Sequence, residues 1–357
     1  MPVERRFSIA GVPISMETER ELPMTEAFRP FLTEEAPVYR GRFHTVEELP
    51  DYDPAVLYKG TCYNAHPGLD RTFFDAAYET TPYALARTDY EAGTVDVAYQ
   101  DRCAHCVSQM DNSFFHLGFE GLLIRKDRVC FHASCIRTDL GGILFSGPSG
   151  IGKSTQAQLW CDHRGAELLN GDRPILQRTE NGFLAWGSPY AGSSKCHVND
   201  CVPVSALVFL EQAGQNRIRR LSGGEAFRRI YAGLTMYSWD RFFVERAVDL
   251  AMELSSGVLC YELACLPDQS SVECLEASLK AAGEREKLVF LHYPPRYRGY
   301  ECREIIDMLE SYGVRRCFYG HLHSDSHKLA IEGLWGGVEY KLVAADYTGF
   351  KPVKVMD

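Results

Sequence analysis

The sequence predicts an α/β chain built around one strand–loop–helix–strand unit, with a β-rich part before it and a small α/β part after it. Three observations predict this. The apolar run Gly142-Ile143-Leu144-Phe145-Ser146 leads straight into a glycine loop and then into a helical stretch from Ser154 to Trp160. Residues 1–108 carry strand-and-turn patterning and few helical signals. From about Ser278, a strand, an amphipathic helix and further strands follow one another. The expected division is 1–108, 109–277 and 278–357.

Composition narrows the partners. Of 357 residues, 45% are hydrophobic and 24% charged, enough apolar material for a sizeable core. The formal net charge is −10 and the isoelectric point about 5.6. Such a surface repels phosphate backbones, so neither nucleic acid nor an anionic membrane is expected as a partner. No run approaches the length of a membrane span, and no apolar signal region follows Met1-Pro2-Val3-Glu4-Arg5-Arg6. The 13 cysteines are scattered rather than framed as a disulfide scaffold. They read as mostly small buried hydrophobes of a reduced, cytoplasmic protein.

Along the first part, Phe7 to Ile14 alternates loosely, and Pro82–Arg87 with Thr94–Tyr99 flank a turn at Glu91-Ala92-Gly93, a hairpin pattern. Glu34 to Pro54 is polar and proline-dotted and reads as loop. In the middle part, Phe114, Phe115, Leu117, Phe119, Leu122 and Leu123 suggest a short helix, and Val129 to Ser134 a strand. Ala166–Asn170, Ile175–Gln177, Phe183–Trp186 and Ala206–Leu210 read as strands; Gly224–Leu234 and Asp240–Leu254 read as helices. In the last part the expected elements are a buried-type strand Lys287–His292, a helix Cys302–Tyr312, and strands at Arg316–Tyr319, Leu329–Gly333 and Val338–Val343.

The glycine loop carries the chemistry. Gly147-Pro148-Ser149-Gly150-Ile151-Gly152-Lys153-Ser154 fits G-x-x-x-x-G-K-[ST], between a strand and a helix as that motif requires. Glycines let successive backbone N–H groups turn toward one centre, and the helix N-terminus adds its own. Gly147, Ser149, Gly150, Ile151, Gly152, Lys153, Ser154 and Thr155 are the expected ATP-binding residues. Lys153 supplies a cation for the β/γ-phosphates, and the Ser154 hydroxyl is a hard ligand for Mg²⁺. The metal also needs a carboxylate. Asp172, after the apolar strand Leu168-Leu169, reads as Mg²⁺ ligand or as base for an incoming hydroxyl, with a turn former in Gly-Asp-Arg-Pro as the alternative.

His132 in Phe131-His132-Ala133-Ser134, the loop Gly147–Ser154, and Asn170-Gly171-Asp172-Arg173 together resemble the HPr kinase/phosphorylase catalytic domain, within the wider phosphoenolpyruvate-carboxykinase-like P-loop group. The resemblance spans about 110–275. It implies a P-loop kinase domain that moves phosphate from ATP/Mg²⁺ to a serine-type hydroxyl, with His132 near the γ-phosphate, Lys153 and Ser154 on phosphate and metal, and Asp172 as the acidic catalytic group. The family carries two adjacent aspartates where this chain has Gly171-Asp172. His132 also reads as a core histidine on a buried strand. Lys195 or His197, after the second glycine-rich stretch Trp186–Lys195, could close over phosphates or belong to a plain surface loop.

Two other patterns mislead. Leu221-Ser222-Gly223-Gly224-Glu225 looks like an ABC-transporter signature, but no apolar strand ending in Asp-Glu follows it. Ser222 reads instead as a helix cap with Glu225 as its capping-box partner. Cys103-Ala104-His105-Cys106 has zinc-knuckle spacing without a second pair at a suitable distance. The pairs Arg219-Arg220 and Arg228-Arg229 read as solvated ends of elements.

In the last part, Leu291-His292-Tyr293-Pro294-Pro295 and Gly320-His321-Leu322-His323 resemble the final two motifs of calcineurin-like metallophosphoesterases. That resemblance implies His292, His321 and His323 as metal ligands. The upstream Asp-x-His, bridging aspartate and Asn-His-Asp of that family are absent from this sequence. Three imidazoles could hold a single zinc-like ion, and the segment reads as a half-domain whose uncovered apolar face suggests a homo-oligomer. The expected function is ATP-dependent phosphotransfer to a hydroxyl on an unidentified protein, peptide or metabolite. The alternatives are a nucleotide-binding regulatory module and a phosphoesterase acting through the tail.

Overall fold

The computed structural model describes residues 2–76, 79–283, 287–312 and 314–355. Contacts divide the chain into two units, Met1–Leu279 and Lys280–Asp357. The first unit holds two large sheets. One has eight strands in the order Val3–Ile9, Val12–Thr18, Tyr39–Val46, Thr94–Gln100, Ala84–Asp89, Arg71–Phe73, Tyr63–Ala65, Tyr58–Lys59. The expected hairpin is there, pairing Ala84–Asp89 antiparallel with Thr94–Gln100.

One expectation for this sheet fails and one loose pattern is resolved. The loosely alternating Phe7 to Ile14 spans two strands: the chain turns at Ala10-Gly11, both at positive φ, and folds Val3–Ile9 back on Val12–Thr18. The expected loop Glu34–Pro54 contains the strand Tyr39–Val46, which lies parallel to both Val12–Thr18 and Thr94–Gln100. Its inward positions Tyr39, Gly41 and Phe43 are buried while Arg40 and Arg42 face out, so alternation outweighed its polar composition. The two short helices Met110–Phe115 and Phe119–Arg125, where one was expected, close this core through Phe114, Leu117, Phe119 and Leu122.

The second sheet has nine strands and carries the glycine loop. Its path runs Glu167–Asn170, Ala133–Thr138, Gly141–Ser146, Cys201–Gln212, and then through Gly182–Trp186 and Ile175–Thr179 to Arg128–Cys130. Cys201–Gln212 also pairs in parallel with Leu259–Cys265. The loop strand Gly141–Ser146 is parallel to Cys201–Gln212 and antiparallel to Ala133–Thr138. One face packs on Gly223–Gly233 and Arg241–Gly257, the other on the loop helix Lys153–Arg164 and on Gln269–Gly283. Leu259–Cys265 and Gln269–Gly283 were not foreseen in the sequence.

The Ser222 expectation is half right. Ser222 stands at the N-cap of Gly223–Gly233, yet its side chain makes no capping hydrogen bond. Glu225 instead takes both guanidinium nitrogens of Arg219 at 2.8 Å, so a charged pair displaces the capping box. The cysteine expectation also needs correcting: Cys103, Cys130, Cys135, Cys260 and Cys317 are buried, the other eight at least partly exposed. Among the described residues, no helix is long and apolar enough to cross a membrane.

The second unit has a four-stranded sheet ordered Lys287–Leu291, Val314–Tyr319, Val338–Leu342, Gly333–Trp335, with the helix Arg303–Ser311. Lys287–Leu291 is not the buried strand expected, since Phe290 is 60% exposed while stacking on Phe318. The expected strand Leu329–Gly333 is not formed: a 3-10 turn, Ser324–Leu329, occupies its start and the strand begins at Gly333.

Candidate functional site

The loop Gly147–Ser154 leaves the C-terminal end of its strand with Gly147, Gly150 and Gly152 at φ of 148°, 79° and 112°. L side chains rarely adopt such angles, and glycine holds them without a Cβ penalty. A Cβ at Gly150 or Gly152 would meet nothing within 4 Å, so these backbones face open space. The Lys153 ammonium curls back over the loop, donating to the carbonyls of Gly147 at 3.1 Å and Pro148 at 3.3 Å. Lys153 is only 9% exposed, and this burial lowers its pKa from the usual lysine value while Asp172 opposes the shift.

His132 lies where the expected strand Val129–Ser134 is broken. The chain leaves one half of the sheet at Cys130 and enters the other at Ala133. Its N–H donates to Gly233 O at 2.8 Å, and its carbonyl accepts from Ser146 Oγ at 2.9 Å. The backbone is therefore pinned to the loop strand and to the end of the helix Gly223–Gly233. Its ring is 41% exposed, which sets aside the core-histidine reading. His132 Nε2 lies 3.4 Å from Asp172 Oδ1. Partial burial, then the Lys153 cation, push the imidazole pKa below its ordinary 6.5, with Asp172 opposing.

Asp172 lies in the turn its sequence suggests, without being the residue that closes it. The stretch 170–173 is a turn, but the side chain that closes it is Asn170: Asn170 Oδ1 accepts from the N–H of Asp172 at 3.0 Å and of Arg173 at 2.8 Å. Asn170 is fully buried, and its Nδ2 donates to Ser188. The carboxylate of Asp172 is thus released from turn duty. One oxygen faces His132, and the other lies 3.7 Å from Arg173 Nε.

A cavity of about 340 Å³ gathers His132, Ser149, Gly150, Gly152, Lys153, Ser154, Thr155, Gly171, Asp172, Gly192 and Ser193. Ser154 and Asp172 face it together, offering the hard oxygens that suit Mg²⁺. A second cavity of about 400 Å³ shares His132 with the first. Its wall is Pro148, Phe209, Leu210 and Ala232, with Arg228 and Arg229 at its edge. Arg229 is tied to Glu262 and lies over the Phe209 ring, 5.9 Å from its centroid.

Three contributors carry no signal of their own in the sequence: Asn170 reads only as part of a motif, and Gly192 and Ser193 only as loop. Gly171, which stands where the resembling family has a second aspartate, is accounted for by its surroundings. A Cβ there would lie 2.1 Å from Ser194 Oγ, 2.4 Å from Ser194 Cβ and 3.0 Å from Ala191 O. The place of a second aspartate is filled by the 191–194 segment. Gly192, at φ 56°, closes on Asp172 in the same way, with its would-be Cβ 2.9 Å from Asp172 Cβ. Neither Lys195, which is exposed, nor His197 lines the cavity.

The tail histidines behave differently. His321 Nδ1 and His292 Nε2 approach to 3.3 Å. His323 turns to Asp346, Nδ1 to Oδ1 2.8 Å, and His327 reaches the other oxygen at 3.3 Å. Among the described residues, His292, His321 and His323 do not form a cluster with ligand atoms mutually within 4.8 Å.

No protein-family model and no curated protein matches the chain. Among solved structures, the chain is similar to the Hpr(Ser) kinase/phosphatase from Coxiella burnetii, at 14% identity over 44% of this chain and 99% of that one, with a TM-score of 0.28.

Proposed function

We propose that the chain is an ATP- and magnesium-dependent phosphotransferase that moves the γ-phosphate to a hydroxyl acceptor. The supporting observation is the convergence of Lys153, Ser154, Asp172 and His132, from three separate segments, on the cavity bounded by the open face of the glycine loop. Backbone amides of residues 149–154 hold the phosphate oxygens, and the Lys153 ammonium swings from its two carbonyls to the β/γ bridge. Bound Mg²⁺ would be held by Ser154 and Asp172 and would neutralise charge on the β- and γ-oxygens. The acceptor enters from the cavity lined by Phe209 and Arg228, which meets the phosphate cavity at His132. Asp172 takes the acceptor's proton; neutral His132 donates from Nε2 and keeps the carboxylate aimed. Positioning and charge neutralisation do the rest, with no covalent intermediate.

Gly171 motivates a second reading. With one carboxylate where the resembling family has two, a nucleotide-binding regulatory module is the rival. The deciding experiment follows radiolabelled γ-phosphate from ATP/Mg²⁺ in wild type, Lys153→Ala and His321→Ala. Turnover lost in Lys153→Ala and kept in His321→Ala supports the phosphotransferase. The reverse pattern would move the activity to the tail. ATP bound with no phosphate transferred or released would establish the regulatory module.

A further inference from the structure

Outside the phosphate cavity, three side chains with different donor atoms meet at one corner of the N-terminal sheet. The sheet explains why. Strands Arg71–Phe73 and Thr94–Gln100 both pair antiparallel with Ala84–Asp89, and Phe73 and Tyr99 are both opposite Ala84. The two strands therefore end at the same edge of the sheet, on either side of Ala84. Asp75 comes two residues after one end, and the 3-10 turn Asp101–Val107, bearing His105 and Cys106, starts directly after the other. Asp75 Oδ1 lies 3.1 Å from His105 Nε2 and 3.1 Å from Cys106 Sγ, and Sγ lies 3.4 Å from Nε2.

We propose that Asp75, His105 and Cys106 form a three-ligand site for a zinc-type divalent ion. In a tetrahedral zinc site, Zn–S of about 2.3 Å and Zn–N and Zn–O of about 2.0–2.2 Å place neighbouring donors about 3.3–3.6 Å apart. The three donors need to spread by only a few tenths of an ångström to seat the ion. One thiolate, one imidazole and one carboxylate select a borderline-soft transition ion over Mg²⁺ or Ca²⁺. The Asp75 and His105 side chains are 35% and 63% exposed, so the fourth position opens to solvent, as in zinc sites that bind water or a substrate. Cys103, the other cysteine of the knuckle pattern, takes no part: it is buried, and its sulfur accepts from Arg102 at 3.6 Å. The distant partner that the sequence pattern lacked is thus a carboxylate thirty residues upstream of His105 in the same chain.

The test titrates the full chain, freed of metal, with Co²⁺ and reads the thiolate-to-cobalt charge-transfer band and the visible bands of tetrahedral cobalt. The expected result is one equivalent bound, displaced by Zn²⁺. Cys106→Ser removes the charge-transfer band, and Asp75→Asn and His105→Gln, at exposed positions, each weaken binding about 10-fold or more. Cys103→Ser binds as wild type does. Absence of the band, its survival in Cys106→Ser, or its loss in Cys103→Ser would overturn the assignment.

Discussion

The glycine-loop cavity and the tail histidines both begin from short motifs, but the chain treats them in opposite ways. Around the loop, residues 132, 150, 172 and 192 come together from separate strands and turns to line one cavity, and the His132 backbone is pinned by Ser146 and Gly233. In the tail, the motif residues partner one another or drift: His292 meets His321, while His323 is taken by Asp346. A motif fixes donor types. Only long-range pairing supplies the complementary charges that make donors work on a substrate. The loop region has that pairing where His132 meets Asp172 from a separate segment. The tail needs bridging carboxylates to hold two metal ions, and its Asp346 is engaged with two histidines instead.

The largest effects should break this comparison if it is wrong. Asp172→Asn, with its base removed, should lower the phosphotransfer rate by about 100- to 10,000-fold. Lys153→Ala should lower it about 100- to 1000-fold. His321→Ala should leave the rate within about 2-fold, because the proposed transfer uses only residues of the first unit. A large loss in His321→Ala, measured by initial rates, would invert the roles of the two regions. His132→Gln comes next, at about 10- to 100-fold, since it keeps a donor toward Asp172 but loses its ring geometry. In wild type the active form carries neutral His132. Its pKa is held below 6.5, so kcat/KM should stay level as pH falls to that value and drop only below it. In His132→Gln that acid limb should vanish.

How much of this was legible in the sequence follows the same division. The glycine loop is local: its residue order and its flanking strand and helix are all contiguous, so the motif and its surroundings could be read together. His132 was picked out by resemblance, but its exposure depends on the strand breaking at Phe131-His132, and that break is made by hydrogen bonds to Pro174 and Gly233 far along the chain. Tyr39–Val46 was hidden because its outward face is charged, and period-two burial shows only once Val12–Thr18 and Thr94–Gln100 are known to flank it. The capping box at Ser222 failed for an electrostatic reason: Arg219, beside the helix start, competes for Glu225 and wins with two charged hydrogen bonds.

Gly171 sharpens the comparison from the side of stability. Gly171→Asp would add the second carboxylate that the resembling family has, yet its Cβ alone collides with Ser194. The 191–194 segment must shift, at a cost of about 1–3 kcal/mol in denaturant unfolding. Gly171→Asp with Ser194→Gly should regain part of that loss, since the two closest contacts to the new Cβ, both from the Ser194 side chain, are then gone. No regain would mean that the crowding is not what keeps residue 171 a glycine. The rate should not rise in either variant, because moving this segment also moves Gly192 off Asp172.

The smallest effect belongs to the tail and tests its independence. Asp346 accepts from the N–H of Ser324 at 3.0 Å and from His323, and these bonds hold its carboxyl well below the usual carboxylate range. A depressed carboxyl contributes its stability at all pH values above its ordinary pKa and loses it only as pH falls through the lowered one. The contacts around residues 323–324 should therefore persist from neutral pH down past pH 4, where a free aspartate would already be half protonated. Asp346→Asn keeps the shape but removes the charge. Amide exchange at Ser324 should then speed up at neutral pH, while phosphotransfer from ATP stays at the wild-type rate. If Asp346→Asn leaves Ser324 exchange unchanged, the carboxylate is not the tail's anchor. If it lowers phosphotransfer, the tail takes part in the loop chemistry, and the contrast between the two regions fails at its least expected point.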